Sequence, residues 1–134
     1  PYVMTRKSWF VDGTPCTPPP FGVLTALELD SGEVRWETAL GENQLGMPAA
    51  GGPIVTGSGL VFMAGTPDRH IRAYDLADGE VVWRAELPRA ALSTPMTYLG
   101  ADGRQYLVIA AGGHGKWGLE LGDFVVAFAL EDPE

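Results

Sequence analysis

The sequence repeats one short segment, and this repeat constrains the fold more than any other feature. Residues 26–36 and 73–83 both read Ala-x-acidic-Leu-x-x-Gly-Glu-Val-x-Trp, at an offset of 47 residues. A degenerate third copy covers residues 127–132 and begins 54 residues after the second. Repetition at such a spacing indicates an array of similar structural units.

Each copy predicts a β-hairpin. The first strand ends in an acidic residue, a Ser-Gly or Asp-Gly pair supplies the tight turn, and the return strand carries a tryptophan. Trp36 and Trp83 are large enough to pack between neighbouring sheets, so we expect them to dock sheets together rather than stack on a cofactor. A repeat of this length that ends in such a hairpin is typical of a β-propeller blade.

Further alternating segments predict the remaining strands, and none has a helical pattern. Four strands at residues 53–56, 60–64, 70–76 and 80–86 predict one complete antiparallel sheet, and three at residues 96–99, 105–110 and 124–130 predict part of another. The sequence therefore predicts an all-β fold: the last two strands of one blade, one full blade and a three-stranded blade. Because an open stack leaves sheet edges uncovered, we expect a fragment of a larger ring, or else a module that oligomerises.

The composition excludes several classes of function. Nine Lys and Arg against seventeen Asp and Glu give a net charge of −8, so a basic nucleic-acid-binding face is not expected. Cys16 is the only cysteine, which excludes an intrachain disulfide and a Cys-rich zinc module. We expect its thiol to be buried for structural reasons. No Ser-His-Asp order, phosphate-binding loop or dinucleotide fingerprint is present.

Several segments resemble the C-terminal region of the membrane-bound PQQ-dependent dehydrogenases, the group of the glucose and quinate/shikimate enzymes. They occur in the family's order and span essentially the whole chain, at residues 15–22, 51–56, 94–98, 103–106 and 111–115. The Pro-Cys-x-Pro-Pro-Pro and Gly-Gly-His-Gly segments are the most specific, because non-enzymatic propellers share the tryptophan hairpin.

The resemblance implies a portion of an eight-bladed propeller on the periplasmic side of the inner membrane. PQQ would lie near its axis, assisted by Ca²⁺ or Mg²⁺ with ligands mostly outside this chain. The parent enzyme would oxidise a sugar, polyol or cyclic hydroxy acid and pass electrons to ubiquinone. Its anchor, its catalytic carboxylate and its remaining blades would lie outside this chain, so we expect the isolated chain to be inactive. A non-enzymatic propeller scaffold is the alternative.

Two segments hold the candidate site residues. Gly113 and His114 lie in a glycine-rich stretch that lets a ligand approach the backbone, and an imidazole there can bond an oxygen or take up a proton. The resemblance implies that His114 lies near substrate or cofactor; the alternative is a solvated loop. It also implies that the loop of Asp68, Arg69 and His70 meets PQQ, with arginine suited to its carboxylates. The alternative there is a solvated turn.

Two further side chains and one possible metal site complete the sequence predictions. Met47 is expected to pack rather than to contact the cofactor. Trp117 suits either a rim or a pocket. Asp68 and His70 alone provide too few ligands for a metal site.

Overall fold

The computed structural model describes residues 2, 3, 10–12 and 14–130, and these residues form β-strands and loops. The strands are β1 (Phe10–Val11), β2 (Thr14–Pro15), β3 (Val23–Leu27), β4 (Val34–Ala39), β5 (Ile54–Val55), β6 (Leu60–Met63), β7 (His70–Asp75), β8 (Val81–Glu86), β9 (Met96–Leu99), β10 (Gln105–Ala111) and β11 (Phe124–Ala129). One 3₁₀ turn, Gly115–Trp117, lies between β10 and β11 and was not predicted. Within the described residues, no helix has the length and apolar character needed to span a membrane.

The strands form antiparallel sheets that divide as the sequence predicted. The first sheet is β3–β4, the second is β5–β6–β7–β8, and the third is β9–β10–β11. A two-residue pair, β1–β2, was not predicted. In the third sheet the outer edge of β11 is unpaired among the described residues, whereas β8 covers the corresponding edge of β7 in the second. The degenerate third repeat begins in β11, and its last two residues, Glu131 and Asp132, lie outside the described part.

The two complete repeats have the same hairpin geometry. Ala26 pairs with Trp36 in the first and Ala73 with Trp83 in the second, and the register shifts immediately after each alanine. The turns are equivalent as well, because in each the turn glycine donates its N–H to the carbonyl of the acidic residue four positions earlier, at 2.7 and 2.9 Å. The prediction of paired hairpins is confirmed.

The two tryptophans connect neighbouring sheets, as expected. The Trp36 indole N–H donates to the Leu76 carbonyl of the next sheet at 2.9 Å. Trp83 meets Phe62 of its own sheet and Phe128 of the third sheet edge-on, with ring centroids 6.4 and 5.2 Å away. Each tryptophan therefore belongs to one sheet and packs on the next.

Two apolar cores hold the sheets face to face. The core between the first and second sheets contains Leu24, Leu40, Val61, Met63 and Tyr74. Burial raises the pKa of the Tyr74 phenol, because its ionised form would lose hydration. The core between the second and third sheets contains Ala64, Ile71, Leu87, Ala91, Leu107, Ile109 and Ala111. These cores fix the relative positions of the loops that leave each sheet.

Antiparallel pairing sorts the connections onto two opposite ends of the sheets. Tight turns at residues 28–33, 56–59, 76–80 and 100–104 share one end, which we call the turn end. Longer connections at residues 40–53, 64–69, 87–95 and 112–123 share the other, which we call the loop end. Long loops carried on a rigid scaffold are where binding residues concentrate.

Candidate functional site

All five candidate site residues lie at the loop end. Asp68 and Arg69 lie in loop 64–69, His70 begins β7, and Gly113 and His114 lie in loop 112–123. Among the described residues, no hydrogen bond joins these two groups directly. The structure therefore places both groups at one end of the sheets, in separate loops.

The connection 87–95 joins the two loops through backbone hydrogen bonds. The Leu87 N–H donates to the Arg69 carbonyl at 2.7 Å, and the Gly65 N–H donates to the Ala91 carbonyl at 2.6 Å. On its other side, the Gly113 N–H donates to the Ala90 carbonyl at 2.9 Å. One amide group and two carbonyl groups of this connection thus bind both candidate loops.

The Asp68 carboxylate is bonded to two other side chains of the protein. Its carboxylate accepts hydrogen bonds from Arg72 at 2.5 Å and from the Thr66 hydroxyl at 2.7 Å. The Asp68 and Arg72 side chains are only 6% and 5% exposed. Burial by itself would raise the pKa of Asp68, but the bonds from Arg72 and Thr66 and the arginine charge outweigh it and hold that pKa below its usual value. Asp68 is therefore ionised and shapes the loop that presents its two neighbours.

Arg69 and His70 follow Asp68 in the chain. The Arg69 side chain is exposed, whereas the His70 side chain is half-buried. Arg69 adopts a left-handed backbone conformation, with φ of 58°, and its exposed guanidinium pairs with Glu86 on β8. His70 Nδ1 lies 2.8 Å from the Asp68 carbonyl oxygen and 3.7 Å from a Glu42 carboxylate oxygen. Because a carbonyl oxygen only accepts, Nδ1 is the donor of this bond.

His114 lies directly after a glycine that no other residue can replace without a shift. Gly113 has φ of 67°, and a Cβ there would lie 1.8 Å from the Glu120 carbonyl oxygen. The His114 carbonyl accepts from the N–H groups of Trp117 and Leu119, both at 3.1 Å. These bonds wrap the 3₁₀ turn around the imidazole, which packs on the Trp117 ring at a centroid distance of 5.6 Å.

The Nδ1 atom of His114 is buried and has no hydrogen-bond partner among the described residues. An unpaired buried nitrogen costs about 1–3 kcal/mol, so such an atom in a folded protein calls for a partner. Trp117 is 40% exposed and covers one side of the ring. The arrangement provides one imidazole nitrogen without a partner among the described residues, beside an aromatic ring at the loop end.

Several functional residues of the loop end were not predicted from the sequence. Arg72 bonds Asp68, Arg89 bonds Glu120 of the His114 loop, and Glu42 lies 3.7 Å from His70 Nδ1, yet none of these residues belongs to a recognisable motif. Arg89 and Glu120 are 31 positions apart, and only the folded sheets bring them together.

Two other expectations concerned isolated side chains. The expected burial of Cys16 is wrong, because its thiol is free and exposed. It lies in the bend that follows the short strand β2, where no described core residue covers it. The Met47 side chain packs against Gly41, as expected of a packing residue.

Among the described residues, we find no metal centre and no polar pocket that would be a better candidate site than the loop end. Within the described part of the chain, no group of three or more His, Cys, Asp or Glu side chains could hold a metal ion. A cavity of about 430 Å³ lies between the second and third sheets, but Trp83, Phe62 and Phe128 line it and it opens beside the turn at residues 56–59. It is apolar and lies at the turn end, away from the charged candidate residues.

Comparisons with known proteins identify the family. Residues 1–107 match the family described as PQQ: Glucose/ethanol/alcohol dehydrogenase, beta-propeller domain. The chain is 42% identical, over 98% of its length, to quinoprotein glucose dehydrogenase of Escherichia coli, of which it covers 18%. It is 40% identical, over 89% of its length, to quinate/shikimate dehydrogenase (quinone) of Acinetobacter baylyi, of which it covers 16%. The chain thus spans less than a fifth of the length of these curated relatives.

Solved structures agree on the architecture. Quinohemoprotein alcohol dehydrogenase from Comamonas testosteroni matches 92% of the chain with a TM-score of 0.67 and 28% identity, and 19% of that protein is covered. A europium-containing methanol dehydrogenase matches 68% of the chain with a TM-score of 0.58 and 30% identity, and 15% of it is covered. From the repeat, the sheets and these matches together, the chain belongs to the β-propeller family of the PQQ-dependent glucose, ethanol and alcohol dehydrogenases.

Proposed function

We propose that the chain is part of the propeller of a PQQ-dependent dehydrogenase that oxidises a sugar, polyol or cyclic hydroxy acid. The relatives named above act on glucose and on quinate or shikimate, and another is a glycerol dehydrogenase large subunit. Because the chain covers so little of each relative, the remaining blades are its partners in the longer parent protein. The single observation that carries the proposal is the buried Nδ1 of His114 at the loop end, which has no hydrogen-bond partner in the part of the chain that the structure describes.

The residues at the loop end fit PQQ chemically. PQQ is an ortho-quinone with three carboxylates, so it needs cationic and hydrogen-bonding partners and a flat surface. Arg69 offers an exposed guanidinium, His70 the second nitrogen of its ring, and His114 an Nδ1 atom that has no partner among the described residues and lies beside the Trp117 ring. When bound, PQQ would supply the two-electron acceptor for oxidation of an alcohol.

Each residue then has a defined task. Arg69 binds a carboxylate of the cofactor, because a planar guanidinium forms two parallel hydrogen bonds to it. Its ion pair with Glu86 is exposed and therefore weak enough to be exchanged for that partner. Asp68 keeps the loop in shape through Arg72 and orients His70 through its backbone carbonyl. His114 binds an oxygen of substrate or cofactor and so orients it.

Other parts of the parent protein complete the site in this proposal. They would contribute the carboxylate that takes the proton of the alcohol and most ligands of a divalent cation, Ca²⁺ or Mg²⁺, which would supply Lewis-acid assistance there. One structural relative is described as europium-containing, which supports a metal ion in the site. We propose ubiquinone as the electron acceptor and the periplasmic side of the inner membrane as the location, as in the dehydrogenases that the sequence resembles. The isolated chain is then inactive.

The test is PQQ-dependent oxidation by the purified parent protein, with glucose, quinate and glycerol as substrates and a dye as acceptor. The proposal predicts turnover with at least one of them, and a loss of about tenfold or more in kcat/KM in His114→Asn. Arg84→Gln, an exposed substitution on β8, serves as the control and is expected to keep the parent's activity. Absence of PQQ-dependent oxidation would instead favour a scaffold role, and turnover by the isolated chain would contradict its expected inactivity.

A further inference from the structure

Arg89 spans two connections of the loop end. It lies in the connection 87–95, and its side chain reaches across to the loop that carries His114. The Arg89 Nη2 atom donates to the Glu120 carboxylate at 2.5 Å, and Nε donates to the Leu121 carbonyl at 3.2 Å. A third donor, Nη1, bonds the Pro88 carbonyl in its own connection at 2.8 Å.

The packing of Arg89 supports a fixed position. Its guanidinium carbon lies 5.7 Å from the centre of the Phe124 ring, within the range of a cation–π contact. The Arg89 side chain is 26% exposed, whereas Glu120 is 70% exposed. A Cβ at Gly122 would lie 2.7 Å from the Arg89 Cγ atom, so the stem of the arginine passes directly over this glycine. Arg89 is thus the partly buried member of the pair, held against the base of the loop.

Glu120 in turn determines where His114 lies. The Glu120 backbone carbonyl is the group that packs against Gly113, the residue immediately before His114. The Gly122 N–H donates to the Gly112 carbonyl at 3.0 Å and closes the loop at its base. The side chain of Glu120 binds Arg89, and its main chain packs on Gly113, so a displacement of Glu120 moves the histidine.

We infer that Arg89 is a positioning residue, which fixes the His114 loop through Glu120 and Leu121. The same connection bonds the loop of Arg69 through Leu87, so both candidate loops have one common support. The position of His114 affects turnover only if this residue contacts substrate or cofactor, and in that respect the inference rests on the proposed function. It goes beyond the proposed function in assigning Arg89 and Glu120 as a pair that sets the geometry of the site.

Hydrogen exchange in the parent protein tests the support itself, independently of activity. We expect Arg89→Gln to speed amide exchange in residues 113–121 by about tenfold, because it removes the bonds to both Glu120 and Leu121. Glu120→Gln should speed it by about threefold, because it removes only the partly exposed ion pair. The double variant should exchange no more than about twofold faster than Arg89→Gln alone, since the ion pair that Glu120→Gln removes is already lost in Arg89→Gln. Arg84→Gln is the matched control and should leave the loop unchanged. Unchanged exchange in Arg89→Gln, or additive effects in the double variant, overturns the inference.

Steady-state kinetics tests whether the support acts through His114. We expect Arg89→Gln to raise the KM of the parent enzyme about fivefold with a smaller change in kcat, and to change KM by less than about twofold in a His114→Asn background. Full additivity of the two substitutions overturns the action through His114. If His114→Asn alone leaves kcat/KM unchanged, the proposed function of His114 fails, and hydrogen exchange still decides whether Arg89 holds the loop.

Discussion

The indole N–H of Trp36 donates a hydrogen bond to the Leu76 carbonyl at 2.9 Å, across a separation of 40 residues. Trp36 belongs to the first sheet, and Leu76 begins the turn of the second. The ring of Trp36 also covers Gly79 in the same turn, where an added Cβ would lie 2.5 Å from its Cε3 atom. One repeat therefore packs on the turn of the next, and this contact sets the spacing of the sheets that carry the loop end.

A methyl group at Gly79 is expected to disrupt this contact. Gly79→Ala combines a positive φ of 77° with a clash on the Trp36 ring, so we expect a loss of about 2–3 kcal/mol in the local stability of the β7–β8 hairpin. Gly59→Ala is a matched control, because Gly59 has φ of 83° but nothing within 4 Å of the added Cβ, and it should cost about 1 kcal/mol. Hydrogen exchange of the hairpin amides in the parent protein measures both. Equal losses would show that the tryptophan does not restrain the turn.

The sequence allowed prediction of the sheets because their signals are local. The repeated Ala-x-acidic-Leu pattern and the turn glycines predicted the hairpins β3–β4 and β7–β8. The strands β5 to β11 differ from the predicted ones by at most one residue at either end. The short pair β1–β2 and the 3₁₀ turn were not predicted, because elements of two or three residues have almost no sequence pattern of their own. The exposure of the Cys16 thiol was not predicted, because a proline-rich flanking sequence does not determine whether a side chain is buried.

The candidate site was only partly predictable for a different reason. Glycines around His114 and the Asp68-Arg69-His70 segment marked the loops that bear the site. Their partners depend on tertiary contacts: Arg72 binds Asp68 because of the turn into β7, and Arg89 meets Glu120 across two connections. Sequence separation provides no information about such pairs until the sheets are assembled.

The buried ion pair between Asp68 and Arg72 should matter more for stability than the exposed one between Arg69 and Glu86. Arg72→Leu leaves a buried carboxylate without its cation, and we expect a loss of about 3 kcal/mol in the local stability of loop 64–69. Glu86→Gln breaks the exposed pair and should cost less than about 1 kcal/mol. Exchange of the amides of residues 65–71 in the parent protein gives both values. A larger loss in Glu86→Gln would contradict the assignment.

Asp68 should also make the stability of this loop depend on acid pH. The folded protein lowers the pKa of Asp68 below its usual 3.8, so the ionised carboxylate stabilises the fold. That contribution is fully present above the ordinary pKa and is lost as the pH falls through the lower folded-state pKa. Protection of the loop amides, compared at pH values from about 6 down to about 3, should fall at the acid end in the wild type and be flatter in Asp68→Asn. Identical acid profiles would rule out this contribution.

The shape of the His114 loop depends on glycine at position 113. Gly113→Ala forces a Cβ to within 1.8 Å of the Glu120 carbonyl oxygen, so the loop must move, and we expect kcat/KM of the parent enzyme to fall about tenfold or more. Gly118→Ala in the same loop shares the positive φ, at 68°, but meets nothing within 4 Å, and its kcat/KM should stay within about threefold of the wild type. Comparable losses in the two variants would mean that backbone strain alone, rather than the position of His114, accounts for them.

Direct titration of the metal-supplied, PQQ-free parent protein with PQQ is the measurement closest to the central claim, that the loop end of these sheets holds the cofactor. The wild type should bind PQQ saturably, and Arg69→Gln should raise the dissociation constant about tenfold, because it removes a charge-assisted bond to a carboxylate. Arg84→Gln, an arginine on the exposed face of β8, should bind like the wild type. Absence of saturable binding by the wild type, or equal dissociation constants for Arg69→Gln and Arg84→Gln, would contradict the account.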